Sequence, residues 1–252
     1  MDKVSVIIPS YNRFKYLLNA VKSAIDQTYA NIEVIVVNDC STEEDYYTYD
    51  FKSLGAEVFV IHLPKNSRSI FGKVCGGGNA RNIGMMACSG KYIAFLDDDD
   101  YFLPTKIEKQ MDAMRLYNCD MSCTEAYGGR GLYSLDKTSE YEVWHHMGIH
   151  WETLERIFNN QGKLHLLYSM YDNSINVWGV EEINAHNCTC GGSSILIARS
   201  LIDQAGYFPL MEYAEDWAYW KKLIQHSKCV FMREPLTYLD RGHGYGINYD
   251  KP

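Results

Sequence analysis

Apolar side chains recur along the first 125 residues in two alternating rhythms. Val4, Val6 and Ile8 mark a short strand, and Phe14, Leu17, Leu18, Val21, Ala24 and Ile25 then fall at the spacing of one helix face. Residues 32–37 are almost wholly β-branched and predict a second strand, closed by Asn38-Asp39-Cys40-Ser41. Residues 56–63 supply a third apolar run and residues 91–96 a fourth. Ile107, Met111 and Met114 mark the buried face of a helix that starts near Leu103-Pro104. This alternation predicts an α/β fold: a mostly parallel central sheet with helices on both faces and loops gathered at the carboxyl ends of its strands.

After Asp120 the rhythm weakens. Residues 127–190 are rich in Tyr, Trp, His, Asn and Gly without a clean period, which suits either packing beneath irregular loops or contact with sugar and nucleotide faces. A strand is predicted over residues 193–198, a short helix over 199–204, and an amphipathic helix over 215–225 with Trp217, Trp220, Leu223 and Ile224 inward. No repeat and no Pro- or Ser-rich linker divides the chain, so residues 1–252 read as a single domain.

Composition narrows the partners. The chain has 252 residues, 46% of them hydrophobic, enough for a large core. Its 24 basic and 32 acidic residues give a net charge of −8 with no long Lys/Arg run, which argues against a nucleic-acid partner. No apolar run is long enough to cross a bilayer, and the first nine residues enter a strand at once, so the expectation is a cytoplasmic protein with mostly reduced thiols. His186, Cys188 and Cys190 alternate, with Cys229 further on, but paired structural zinc ligands usually have two to four residues between them.

Candidate chemistry concentrates in Asp97-Asp-Asp-Asp100, directly after the run Lys91-Tyr-Ile-Ala-Phe-Leu96. Ligands of open α/β sheets bind at such strand ends. Carboxylates this close repel one another, and water, cationic side chains or a divalent metal must compensate them. One of Asp98, Asp99 and Asp100 would suffice to cap the following helix, which leaves the others for other work. The polar connection over residues 64–79 is longer than the usual strand-to-helix loop and carries Lys65, Arg68, Lys73 and Gly76-Gly-Gly78, without the spacing of a P-loop or a dinucleotide fingerprint.

Five segments in order, Val4-Ser-Val-Ile-Ile-Pro-Ser-Tyr-Asn-Arg13, Val36-Val-Asn-Asp-Cys-Ser41, Gly78-Asn-Ala-Arg-Asn-Ile-Gly84, Phe95-Leu-Asp-Asp-Asp-Asp100 and Glu215-Asp216, resemble glycosyltransferase family 2. The resemblance implies a GT-A fold, with residues 1–125 as the nucleotide-sugar-binding half and residues 126–252 as an irregular acceptor-side half. It also implies a metal-dependent inverting transfer from a nucleotide diphosphate sugar, a UDP-sugar by preference, to a hydroxyl of a glycan, lipid-linked or protein-linked acceptor. By position, Pro9, Ser10 and Tyr11 would line the nucleotide site. Asp39 would accept from a pyrimidine ring N–H, and Arg81 would reach the diphosphate or support the aspartates. Asp97 and Asp99 match the family's Asp-x-Asp motif, a strand-end clamp for ribose and metal, in which Asp99 would hold Mn²⁺ or Mg²⁺ and Asp98 would touch the ribose. Asp216 would be the catalytic base, with Glu215 orienting acceptor or backbone. His243, in a looser match at Tyr238-Leu-Asp-Arg-Gly-His243, would approach the metal or the diphosphate. A sugar-phosphate nucleotidyltransferase and a non-catalytic nucleotide-sugar or glycan-binding module are the alternatives.

Overall fold

The computed structural model describes residues 1–54, 57–72, 77–144, 151–165, 175–186, 191–212 and 214–242. Its strands are β1 (Val4–Ser10), β2 (Ile32–Asn38), β3 (Glu57–His62), β4 (Tyr92–Phe95), β5 (Tyr101–Phe102), β6 (Met121–Gly129), β7 (Glu142–Trp144), β8 (Ile175–Trp178), β9 (Leu196–Ala198) and β10 (Cys229–Asp240). They form a ten-stranded sheet in the order β3-β2-β1-β4-β9-β6-β10-β5, with β7 beside β6 and β8 beside β10. The helices are α1 (Phe14–Ile25), α2 (Asp45–Thr48), α3 (Ser67–Phe71), α4 (Gly78–Ala87), α5 (Lys106–Tyr117), α6 (Trp151–Asn160), α7 (Val180–His186), α8 (Ser200–Ala205) and α9 (Glu215–Leu223).

The expected parallel order holds for β3-β2-β1-β4 and again for β6 with β10. Between these blocks β9 runs antiparallel to both β4 and β6. Two reversals cancel, so β4, β6 and β10 end at the same edge of the sheet. That edge collects the loops after β1, β2, β4, β6 and β10.

Alternation along β1 explains why both faces are covered. Val4, Val6 and Ile8 join one core with Leu17, Val21 and Met111, whereas Ile7 joins another with Phe95, Trp220 and Leu223. The buried face expected for α1 is found at Phe14, Leu17, Val21 and Ala24, and that of α5 at Ile107, Met111 and Met114. Thr105 precedes α5 without a capping side-chain bond, so none of the aspartates caps that helix.

Three expectations change. Residues 192–194 form a short 3-10 turn, which confines the strand expected over 193–198 to β9. Trp217 faces outward at 42% exposure, while Trp220, Leu223 and Ile224 are buried as expected. Strands β6 and β10, unanticipated from the sequence, form the centre of the second half of the sheet. Cys229 is buried in β10 with its thiol 3.6 Å from that of Cys123, and Cys188 and Cys190 lie outside the described residues.

Close approach of α4 to β1 depends on Gly84, where a Cβ would fall 2.4 Å from Ile7 Cγ2. Helix propensity favours alanine over glycine by about 1 kcal/mol, but overpacking a fixed core costs about 1–3 kcal/mol. Gly84→Ala should therefore lower the unfolding free energy by about 1 kcal/mol in a urea titration. An unchanged or raised midpoint would show that α4 is free to move off the sheet.

Candidate functional site

The first turns past β1 and β2 are knitted together. Asn12 and Cys40 both adopt left-handed backbone conformations, with φ of 50° and 61°. The Asn12 side-chain carbonyl accepts from Thr42 N at 2.7 Å, and Asn12 N donates to Ser41 Oγ at 2.9 Å. Asn38 Oδ1, not Asp39, closes the local turn by accepting from Ser41 N. Asp39 instead reaches forward to the start of α3: its Oδ1 accepts from Ser67 N at 2.8 Å and Ser67 Oγ at 2.7 Å, and its Oδ2 accepts from Asn66 Nδ2 at 3.2 Å. Burial raises its carboxyl above the usual range, against the opposing bonds from Ser67.

The four aspartates after β4 divide among different partners. Asp97 Oδ1 accepts from Arg81 at 2.5 Å, and its backbone N–H donates to Ser193 Oγ. Asp98 accepts from Ser10 Oγ at 2.7 Å, from Tyr11 N at 3.3 Å and from Arg13 at 3.1 Å. Asp99 Oδ2 accepts from Arg13 at 2.8 Å. Asp100 accepts from Ser193 Oγ at 2.5 Å and from Asp240 N at 3.0 Å, which makes it the strut between β4, the 192–194 turn and β10. Burial, followed by repulsion from Asp98, pushes the Asp99 carboxyl up to about 8.

Arg81 joins the two parts of the site. From the first turn of α4 its NH2 donates to Asp97, and its NH1 donates to Glu215 Oε1 at 3.1 Å, at the start of α9. Burial works against the guanidinium charge, but Asp97, Glu215 and Asp216 outweigh it and hold Arg81 protonated above its usual range. Asp216 lies next along α9, half-buried, with Oδ1 accepting from Trp217 N at 2.8 Å. Burial pushes its carboxyl up to about 6, Arg81 opposing and Glu215 adding to the rise. The edge thus gathers segments from sequence positions near 10, 39, 81, 98, 193, 215 and 240.

Residues 5–174 match the model of the Glycosyl transferase family 2 family. The chain belongs to glycosyltransferase family 2. An uncharacterized glycosyltransferase of Rickettsia prowazekii is 30% identical over 235 residues, 92% of this chain and 62% of that protein. A putative teichuronic acid biosynthesis glycosyltransferase of Bacillus subtilis is 35% identical over 136 residues, 54% of this chain and 49% of its own length. The chain therefore spans only part of the length of these family 2 relatives. In fold it is similar to the crystal structure of S. aureus TarS 1-349 in complex with UDP-GlcNAc, with a TM-score of 0.69 at 20% identity, covering 99% of this chain and 62% of TarS 1-349. The GT-A class expected from the sequence holds.

Only part of this candidate site is visible in the sequence. Arg13, which faces Asp98 and Asp99, lies within the segment Val4–Arg13, where nothing in its spacing assigns it a role. Ser193 and Asp240, which hold Asp100 and the backbone of Asp97, lie far along the chain and carried no local signal. Pro9 is the penultimate residue of β1 and pairs with Val37 of β2. His243 lies outside the described residues.

The donor set is compatible with a divalent cation. Three consecutive carboxyl groups, Asp97 to Asp99, face the guanidiniums of Arg13 and Arg81, and Asp99 is held above its ordinary range by burial and neighbouring acids. Among the described residues no three Asp, Glu, His or Cys side chains form a metal cage. Hard carboxylate oxygens at the acidic strand end, one or two of which could serve beside phosphate oxygens and water, suit Mg²⁺ or Mn²⁺. Among the described residues no helix is long and apolar enough to cross a membrane.

Proposed function

We infer that this chain transfers a sugar from a nucleotide diphosphate donor, preferably a UDP-sugar, to an acceptor hydroxyl with inversion at the anomeric carbon. The observation that carries this reading is the Asp97–Arg81–Glu215 bridge, which ties the acidic strand end to the helix bearing Asp216. Residues 1–125 form the donor side and residues 126–252 the acceptor side of one unit. The UDP-GlcNAc and UDP complexes of TarS support a uridine donor. So does the E. coli relative named UDP-Glc:alpha-D-GlcNAc-diphosphoundecaprenol beta-1,3-glucosyltransferase, 38% identical over 130 residues.

Asp216 accepts the proton of the acceptor hydroxyl as that oxygen's electron pair forms the bond to the anomeric carbon. The bond from that carbon to phosphate oxygen breaks on the opposite face, its electron pair leaves with the nucleoside diphosphate, and no covalent glycosyl-enzyme forms. Glu215 orients the acceptor side. Arg81 is a positioning residue that fixes Asp97 relative to Glu215. Tyr11 and Asp39 line the base, Asp39 accepting the pyrimidine N–H, while Ser10 holds Asp98 toward the ribose. Asp99 would hold Mn²⁺ or Mg²⁺, with His243 at the metal or diphosphate, and the ion would supply positive charge against the diphosphate.

A thermal-shift panel of UDP-, dTDP- and GDP-sugars with and without Mn²⁺ tests the donor, and stabilisation by GDP-sugars alone would overturn the pyrimidine assignment. Release of nucleoside diphosphate from donor and acceptor tests the reaction. A nucleotidyltransferase would release pyrophosphate from a nucleoside triphosphate, and a binding module would release nothing. Asp99→Asn should weaken UDP-sugar binding about tenfold in Mn²⁺ and abolish the difference that Mn²⁺ makes, read by calorimetry. Full retention of Mn²⁺-dependent binding would remove Asp99 from the metal site.

A further inference from the structure

Beside Asp216 the surface is apolar. Trp217, expected inward, is 42% exposed, and the segment leading into α9 exposes Tyr207 at 39%, Leu210 at 42% and Met211 at 39%. The segment is anchored from behind: Phe208 is buried against Trp220 and Tyr219, and Phe208 O accepts from Asn82 of α4. Pro209 O and the Glu215 side chain both approach Gly78, within 3.4 Å of where its Cβ would stand. The outward side chains therefore sit on a fixed ledge at the acid pair.

We propose that Trp217 is the floor of an acceptor subsite that takes an uncharged pyranose ring. Resting on the glycosyl transfer inferred above, the geometry follows from the reach of the base. The attacking hydroxyl must come within about 3 Å of the Asp216 carboxylate. The group carrying that hydroxyl then lies at the start of α9, where the neighbouring Trp217 is 42% exposed. A pyranose presents a flat C–H face that suits an aromatic plane, and its rim of hydroxyls needs acceptors such as those of the acid pair. Glu215 offers one: its Oε1 is taken by Arg81, and among the described residues nothing donates to Oε2. The charge of the ledge selects further. At the acid pair itself Glu215 and Asp216 stand together and Arg81 is buried and already paired, so a uronate or phosphate group held there meets repulsion, whereas Lys222 Nζ lies at the other end of the ledge, 3.5 Å from where a Gly206 Cβ would stand.

The test separates this subsite from the reaction. Saturation-transfer NMR on the full chain, loaded with UDP and Mn²⁺, would use methyl glycosides of glucose, galactose, N-acetylglucosamine and rhamnose, with methyl glucuronide as the charged control. At least one neutral glycoside should receive saturation on its axial C–H protons, the glucuronide none. Trp217→Ala should weaken that binding about tenfold and Trp217→Phe much less. Asp216→Asn should keep the signal while losing transfer, so loss of turnover with retained saturation bears on the base and not on the subsite. Absence of signal from every neutral glycoside, or an equal signal in Trp217→Ala, overturns the proposal. So does Trp217-dependent co-sedimentation with phosphatidylglycerol vesicles in the absence of sugar binding, which would assign the ledge to a lipid surface.

Discussion

Asp216→Asn is expected to lose about 10²–10⁴-fold in kcat while its affinity for the UDP-sugar stays within about twofold of the parent. The Asp216 side chain accepts from Trp217 N on α9, whereas Arg13 pairs with Asp98 and Asp99, so the contacts proposed for the donor should be undisturbed. Calorimetry with the UDP-sugar and a nucleotide-release assay give the two readouts. The pH profile adds an independent one. Burial, with Glu215 adding and Arg81 opposing, pushes the Asp216 carboxyl up to about 6. A base works only when ionised, so kcat should fall as the pH drops through about 6, with unit slope below it. Stability should run the other way. A carboxyl whose pKa is raised on folding binds its proton more tightly in the native state, so the ionised side chain opposes folding once the pH exceeds the unfolded value. The neutral asparagine removes that opposition, and the variant should melt no lower than the parent at pH 7.5. Wild-type turnover in Asp216→Asn would exclude it as the base.

Legibility of the chain followed the range of its interactions. β1, α1, β2, β4 and α5 are each specified by local periodicity, because a strand buried on both faces or a helix buried on one imposes its pattern on consecutive residues. β6 and β10 escaped because they mix Cys, Met, Thr, Glu, Pro and Tyr, and their pairing joins residue 121 to 229 and 129 to 240. No local window contains that pairing. The candidate site shows the same division. The acidic run could be found as a cluster, and Glu215-Asp216 only through the ordered resemblance. Arg13 turns onto Asp98 and Asp99 because the left-handed turn at Asn12 redirects the chain, which no spacing announces. Trp217 failed for a different reason. An indole at the first turn of an amphipathic helix is ordinarily core, and here the helix opens with the acid pair itself and leaves Trp217 of its first turn 42% exposed.

Arg81→Ala should be the most destabilising single change at the site. The guanidinium is 7% exposed and pairs at once with Asp97 and Glu215. Removing it leaves the Glu215 carboxylate, 13% exposed, without its cation, and Asp97, 36% exposed, with partial access to water. Breaking a buried pair from one side costs about 3–5 kcal/mol. Solvent screening at Asp97 favours the lower end, about 3 kcal/mol. For a chain of this size that corresponds to a melting temperature lowered by on the order of 10 °C. Arg81→Lys keeps the charge but not the fork, and one ammonium has poor geometry for two carboxylates approached by separate guanidinium nitrogens. It should recover part of the stability and little of the activity. The double variant Arg81→Met with Glu215→Gln distinguishes electrostatics from packing. If the loss comes from unpaired charge, it should melt above Arg81→Met alone; if it melts no higher, the loss lies in other contacts of Arg81, among them its guanidinium over the Phe208 ring. Either way the expected fall in kcat exceeds what unfolding explains, because Arg81 ties the strand end that carries the proposed donor-side acids to the helix that carries the proposed base.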